Sequence, residues 1–170
     1  SPFTGKIGSR EFHEKLSITD DPFVKDSLSS INFDDEGNLP IRKKLIDKGV
    51  LGGVIANLKY AKLLGIAPSA NSVRGYSSMP GASFSNLIVE PGTTAKDDMI
   101  ASIKNGILVE DMLGLGQSNT TTGDFSCNLG LAFIIKNGKI TGRVKDSMIA
   151  DNIFNMLKTD FTMSREVLNK

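Results

Sequence analysis

Asn137-Gly138, set between residues 131–135 and 140–144, constrains this chain more than any other pair of residues in it. Both residues tolerate the positive φ that a two-residue type I′ turn needs, so the two runs are predicted to fold back as an antiparallel hairpin. Residues 129–135 carry no polar side chain, as expected of a strand covered on both faces. A second turn signal, Asp47-Lys48-Gly49, separates residues 41–46 from 50–58 and predicts another hairpin.

The rest of the chain reads around these two hairpins. Residues 15–19 alternate, with Leu16 and Ile18 on one face, and Asp20-Asp21-Pro22 stops them: a short strand into a turn. Residues 60–64 are a short helix closed by Gly65. Residues 66–83, rich in Gly, Ser, Pro and Asn, form the longest loop, and long ordered loops are more often functional than spacers. A strand over 85–92 ends at Pro91-Gly92. Thr93 or Thr94 is then placed to N-cap a helix that runs through Lys104 and ends at Gly106, with Asp97 and Asp98 in its first turns. Residues 106–113 are a strand. Met148, Ile149, Ile153, Phe154 and Met156 stand at helical spacing and predict a last helix over 147–158. Paired strands with a few separate helices make an α+β fold, mostly antiparallel, and 170 residues suit a single domain with its own core.

The chemistry is sparse. The chain holds one histidine, His13, and one cysteine, Cys127. His13-Glu14 begins like a zinc-protease helix motif, but the second histidine would have to fall at 17 or 18, which are Ser17 and Ile18. Cys127, with His13 the only imidazole to serve as its base, reads as a small buried hydrophobe. Asp34-Asp35-Glu36-Gly37-Asn38 lacks the alternating ligands of a calcium loop and reads as an acidic turn. Gly114-Leu115-Gly116 lacks the lysine and the following helix of a phosphate cradle. With 20 basic against 19 acidic residues, net charge +1, nothing would attract a polyanion, so neither direct nucleic-acid contact nor a membrane surface is expected. A lone cysteine excludes an internal disulfide, and with no secretory leader in view a cytoplasmic location is the expectation.

The segments "SPFTGKIG…EKLSITDDP", "FDDEGNLPIRKKLIDKGVLGGVIANLKYAKLLG", "SNLIVEPG", "TGDFS" and "IIKNGKITGRVKDSMIADNIFNML" stand in the order found in the TldD/PmbA (TldD/TldE) family. Across almost its whole length the chain resembles the C-terminal domain of that family. The resemblance implies a paired metalloprotease assembly acting on unfolded or modified peptides, with zinc in the TldD-type subunit. It also implies a PmbA/TldE-type subunit that lacks the metal motif and supports its partner. In TldD the His-Glu-x-x-x-His motif precedes the segment that matches Ser1, and a cysteine ligand follows the segment that matches the end of this chain. The resemblance therefore implies a partial domain without zinc of its own. Asp20-Asp21-Pro22 and the 122–126 segment resemble PmbA more than TldD.

On that resemblance the expected role is a non-catalytic PmbA/TldE-like domain, partnered by a TldD-like subunit or a second copy of itself. Two alternatives stay open: a fragment of an active zinc protease whose metal motif lies outside this chain, and a binding protein that modulates DNA gyrase, the role behind an older family name. No catalytic or metal-ligating residue is assigned. A peptide held as an added strand needs a sheet edge and polar anchors. Thr121, Thr122, Gly123, Asp124, Ser126 and Asn86 are the residues expected to line a peptide or a partner. Asp124 has an equally plain alternative, capping nearby backbone N–H groups in a Gly-Asp turn.

Overall fold

The computed structural model describes residues 2–167, apart from the side chain of Gln117, and they gather into two units: Gly5–Glu90, and residues 91–167 together with 2–4. Among the described residues every pairing between the named strands is antiparallel, and three short helices stand apart from the sheets, so the fold is α+β as read from the sequence.

In the Gly5–Glu90 unit the strands are β1 (Ile18–Asp20), β2 (Lys43–Asp47), β3 (Val50–Leu51), β4 (Ser72–Val73), β5 (Gly81–Ala82) and β6 (Leu87–Val89), with helix α1 (Leu58–Leu64). One sheet has the order β3-β2-β1-β6, and β4 and β5 pair separately. The β2–β3 turn is the predicted one: Lys48 and Gly49 both have positive φ, 47° and 79°. The chain before β1 folds over this turn, where Gly49 accepts from the Glu11 and Phe12 N–H groups, and a side chain at Gly49 would strike the Phe12 carbonyl. Phe12, Leu16, Ile46, Ala56 and Ala61 form the buried apolar core.

Several boundaries differ from the sequence reading, each for a physical reason. β1 covers Ile18–Asp20 rather than 15–19, because Asp20 is a paired strand residue, facing Lys43 on one side and Leu87 on the other. The return arm of the first hairpin stops at Leu51, where Gly52 and Gly53 pass against the Lys44 backbone, and α1 starts at Leu58. Asn57 caps α1 by accepting from the Tyr60 N–H, and left-handed Gly65 closes it as expected. The 66–83 loop contains β4 and β5, and Ser69, Ala70, Asn71 and Ser72 inside it are all buried.

The second unit holds α2 (Lys96–Ser102), β7 (Asn105–Leu113), a 3-10 turn (Leu115–Gln117), β8 (Asp124–Lys136), β9 (Lys139–Val144), β10 (Met148–Asn152) and α3 (Ile153–Met156). β8 is its axis. β7 pairs along one side, while the other side is divided between β10, facing residues 124–128, and β9, facing residues 132–136. No residue from 129 to 135 is exposed, in keeping with an apolar strand covered on both faces. Asn137 and Gly138, at φ 47° and 74°, make the predicted turn. Their N–H groups, which such a turn leaves unused, donate to the Lys104 and Ile103 carbonyls just past α2.

Helix α2 is shorter than expected. Neither Thr93 nor Thr94 caps it; Ala95 occupies that position, and the Lys96 N–H is met by the Glu166 carboxylate at 3.0 Å. Gly106 is a strand residue of β7 rather than a helix terminator. The largest departure is at 147–158, where the predicted helix is instead strand β10 followed by a single helical turn. Pairing with the otherwise open half of β8 outweighs the helical spacing of the side chains.

Candidate functional site

The 119–124 turn is built from its own side chains. Asn119 Oδ1 accepts from the N–H groups of Thr121 and Thr122, and Gly123 donates to the Asn119 carbonyl. Thr122 Oγ1 donates to Asp124 Oδ2 at 2.6 Å. Asn152, at the end of β10, donates through Nδ2 to Asp124 Oδ1 and to the Thr122 carbonyl, both at 2.8 Å. Gly123 has φ 83°, and a Cβ there would lie 2.5 Å from the Phe154 ring. The Thr122 hydroxyl and the Asn152 amide hold the Asp124 carboxyl below its ordinary pKa.

Of the six residues singled out from the sequence, Thr121, Thr122, Gly123 and Asp124 are brought together in this turn. Ser126 is not in a loop: it lies within β8, opposite Ala150. Asn86 belongs to the other unit, where it donates to the Asp21 carbonyl and the Ser30 hydroxyl and accepts from the Ser27 hydroxyl. The bonds favour a self-capped turn for Asp124, and they separate the two threonines. Thr121→Ala is expected to stay within about 0.5 kcal/mol of the parent, the usual range for a surface change. Thr122→Ala should lower the melting temperature and return the Asp124 titration toward its ordinary range. An NMR pH titration of the Asp124 carboxyl carbon checks this, and equal behaviour of the two variants would show that the Thr122 hydroxyl does not hold Asp124.

Sequence reasoning missed a denser polar cluster in the Gly5–Glu90 unit. Asp20 is fully buried, and its carboxylate accepts from Lys43 Nζ at 3.1 Å, Asn71 Nδ2 at 2.8 Å, and the N–H and hydroxyl of Ser85 at 2.7 and 2.6 Å. Lys43 is itself nearly buried and also donates to Asn71 Oδ1 at 2.7 Å. Burial pushes the Asp20 pKa up, but the donors of Ser85, Asn71 and Lys43 together outweigh it and hold the carboxyl below its ordinary range. The sequence signal was only a lysine in a strand and an Asp-Asp-Pro step, whose donors lie 23 to 65 residues away.

Beside this cluster runs a groove of about 280 Å³. Its apolar walls are Ile31, Ala70, Val73 and Phe84. Neutral polar residues complete it, among them Ser29, Asn71, Ser72, Ser83 and Ser85, and no charged side chain lines it. The 69–72 segment beneath is rigidly held. Ser69 Oγ accepts from the Ala56 N–H and donates to the Ala56 carbonyl, both at 2.8 Å. The Ser72 N–H donates to Asp34 Oδ2, and its carbonyl accepts from the Asp35 N–H. Ala70, buried, has φ 51°, a left-handed conformation that costs an alanine about 1–2 kcal/mol. Ser72 is 1% exposed, and its hydroxyl has no hydrogen-bond partner in the structure.

A zinc ion does not fit this chain alone. Cys127 is buried on β8 and His13 belongs to the other unit. Among the described residues no three His, Cys, Asp or Glu side chains are grouped to hold a metal. Asp34, in the acidic 34–38 turn, accepts from Glu36, Asn38 and Ser72, so its oxygens are taken by N–H donors. Gly114 leads into a 3-10 turn and not a phosphate-binding helix.

Residues 1–168 match the family model for the PmbA/TldA metallopeptidase C-terminal domain. A metalloprotease TldD homolog of Haemophilus influenzae is 33% identical over 99% of this chain and 35% of its own length. TldE from Thermococcus kodakarensis superposes with a TM-score of 0.88 at 30% identity, covering 98% of this chain and 38% of that one. A Methanothermobacter thermautotrophicus protein named metalloprotease is 32% identical over 91% of this chain and 34% of its own. The chain spans about a third of the length of the curated relatives it matches.

Proposed function

The chain belongs to the PmbA/TldA metallopeptidase C-terminal domain family, and from that premise we propose that it is the domain of a non-catalytic, PmbA/TldE-type subunit. Its partner is a TldD-type subunit that carries the zinc, or a second copy of itself, and the assembly handles unfolded or modified peptides in the cytoplasm. One observation carries this reading: Asp20-Asp21-Pro22 and the 122–126 segment resemble the PmbA type more than the TldD type, whereas the lack of a metal-binding group among the described residues fits either subunit, since the TldD ligands fall outside this segment. The likeness to TldE supports it.

An edge for an added peptide strand is available. β6 ends its sheet. Ladder bonds from Asp21 to Asn86 and from Glu90 to Ser17 flank Leu87 and Val89, so these two residues turn their own N–H and C=O groups to the outer side. The side chains of Leu87, Ile88 and Val89 are all exposed. An unpaired, uncharged edge of this kind accepts a further strand.

Purified, dialysed protein is expected to hold well under one zinc per chain by elemental analysis, and to cleave no peptide unless a TldD-type subunit is added. One tightly held zinc per chain, lost on His13→Ala, or peptide cleavage without that subunit, would overturn the reading; failure to associate with a TldD-type subunit would favour a fragment of an active protease.

A further inference from the structure

We propose that Asn105-Gly106 and Asn137-Gly138 form one latent deamidation site: a carbonyl beside each step holds the other unreactive, and opening of their pairing releases both at once. This modification site is independent of the subunit role above.

The chemistry is that of the dipeptide. In an Asn-Gly step the glycine nitrogen attacks the asparagine Cγ, and no side chain on the glycine obstructs the approach. The nitrogen gives up its proton, a C–N bond forms, and the Cγ–Nδ2 bond breaks to release ammonia. Water then opens the succinimide at one or other carbonyl, leaving isoaspartate or aspartate. The net change is one amide and one water converted to one carboxylate and one ammonium ion, with nothing oxidised or reduced. No other asparagine in the chain precedes a glycine. The two steps share their leading flank as well, because residues 103–106 and 135–138 both read Ile-Lys-Asn-Gly.

The fold sets these two copies against each other. In the antiparallel pairing of β7 with β8, Asn105 lies opposite Lys136 and Gly106 opposite Ile135. The Gly138 N–H donates to the Ile103 carbonyl at 2.8 Å, and the Asn137 N–H to the Lys104 carbonyl at 2.7 Å. The second of these bonds fixes the alternation of the ladder. Gly106 and Ile135 are therefore its next hydrogen-bonded pair, with the Gly106 N–H donating to the Ile135 carbonyl. The isoleucine of each copy accepts from the reactive glycine nitrogen of the other. Solvent is no barrier, since both asparagines are exposed. Ring closure needs an unbonded nitrogen and a rotation about the asparagine Cα–C bond. The bonded turn at Asn137 and the paired strand at Asn105 deny both.

Because the bonds are reciprocal, one separation of this corner releases both nitrogens. Isoaspartate runs the main chain through Cγ and lengthens it by an atom, so the register of β8 against β7 and β9 is not restored afterwards. The corner recloses only while neither step has reacted.

The test incubates the purified chain in mildly alkaline buffer, folded and in denaturing urea. Asparagine, aspartate and isoaspartate are followed at positions 105 and 137 by mass spectrometry of separated proteolytic peptides. In urea the two steps should react at similar rates, as their shared flank requires. In the folded chain both should slow by about tenfold or more, and by the same factor, because one local opening governs both. Gly138→Ala, whose Cβ would lie 2.5 Å from the Ala101 carbonyl oxygen, should loosen the corner and speed the reaction of Asn105 several-fold. Gly106→Ala, crowded by the Ile103 side chain, should speed Asn137 in the same way. Circular dichroism establishes that each variant is folded; where one is not, the folded and urea rates of the parent decide alone. Reaction of either step in the folded parent at its urea rate overturns the proposal. Protection of one step without the other overturns it too, as does a folded variant that leaves the opposite step at the parent's rate.

Discussion

Asp20→Ala is expected to destabilise the Gly5–Glu90 unit by about 3–5 kcal/mol, the cost of stranding one member of a buried ion pair. Lys43 would keep its buried ammonium with only Asn71 for company, and Ser85 would lose its acceptor for two donors. Both tyrosines of the chain, Tyr60 and Tyr76, lie in this unit, so tyrosine fluorescence during urea unfolding reports on it selectively. A midpoint corresponding to less than about 1 kcal/mol of change would mean that the network does not hold the unit together.

The same carboxylate predicts an acid limb. Its folded-state pKa is depressed, so its contribution is fully present above the unfolded value of about 3.9 and is lost as pH falls through the folded value. Asp34 is shifted the same way: burial raises its pKa, and the donors of Asn38, Ser72 and Glu36 lower it further than that. Stability should therefore fall below about pH 4. Asp20→Asn, which keeps the shape and removes the titration, should start lower and show a shallower fall. An acid limb as steep as the parent's would assign it elsewhere.

Gly138→Val should cost the second unit about 2–4 kcal/mol. Roughly 1–2 kcal/mol comes from forcing a β-branched residue into the left-handed region, and the rest comes from overpacking, since a Cβ at this position would lie 2.5 Å from the Ala101 carbonyl oxygen. That oxygen is backbone and has little freedom to give way. Asn137→Gly, which meets no φ penalty, serves as the mild control. Circular dichroism during urea unfolding measures both, and an unchanged midpoint for Gly138→Val would contradict the turn.

Local signals carried the parts of this fold that were legible in the sequence. Asn137-Gly138, Lys48-Gly49 and Gly65 each dictate φ at their own position, and each sits where the sequence placed it. What failed depended on distant partners. Residues 148–152 have the spacing of a helix, and only the vacant half of β8 makes them a strand. The N-terminus of α2 lacks a threonine cap because Glu166, 70 residues on, supplies the acceptor. The polar bonds of the site depend on distant partners too. The 120–126 segment is rich in hydroxyls, and the Thr122 hydroxyl donates to Asp124, whose other oxygen accepts from Asn152. The 66–83 segment read as a loop, and its burial and its unpartnered Ser72 hydroxyl emerge only once Asp20, Asp34 and Ala56 are brought to it.

The division of one side of β8 between two separate strands bears on how the second unit comes apart. β9 is tied to β8 by a two-residue link, so the pairing at 132–136 closes a short loop and costs little chain entropy to remake. β10 returns to 124–128 over some twenty further residues, and Asn152 alone joins its end to the 119–124 turn by side-chain bonds. Amide protons at 124–128 can then meet solvent through a local opening while those at 132–136 wait for a larger one. The strand is continuous in the structure, and the half that begins at Asp124 is expected to exchange first.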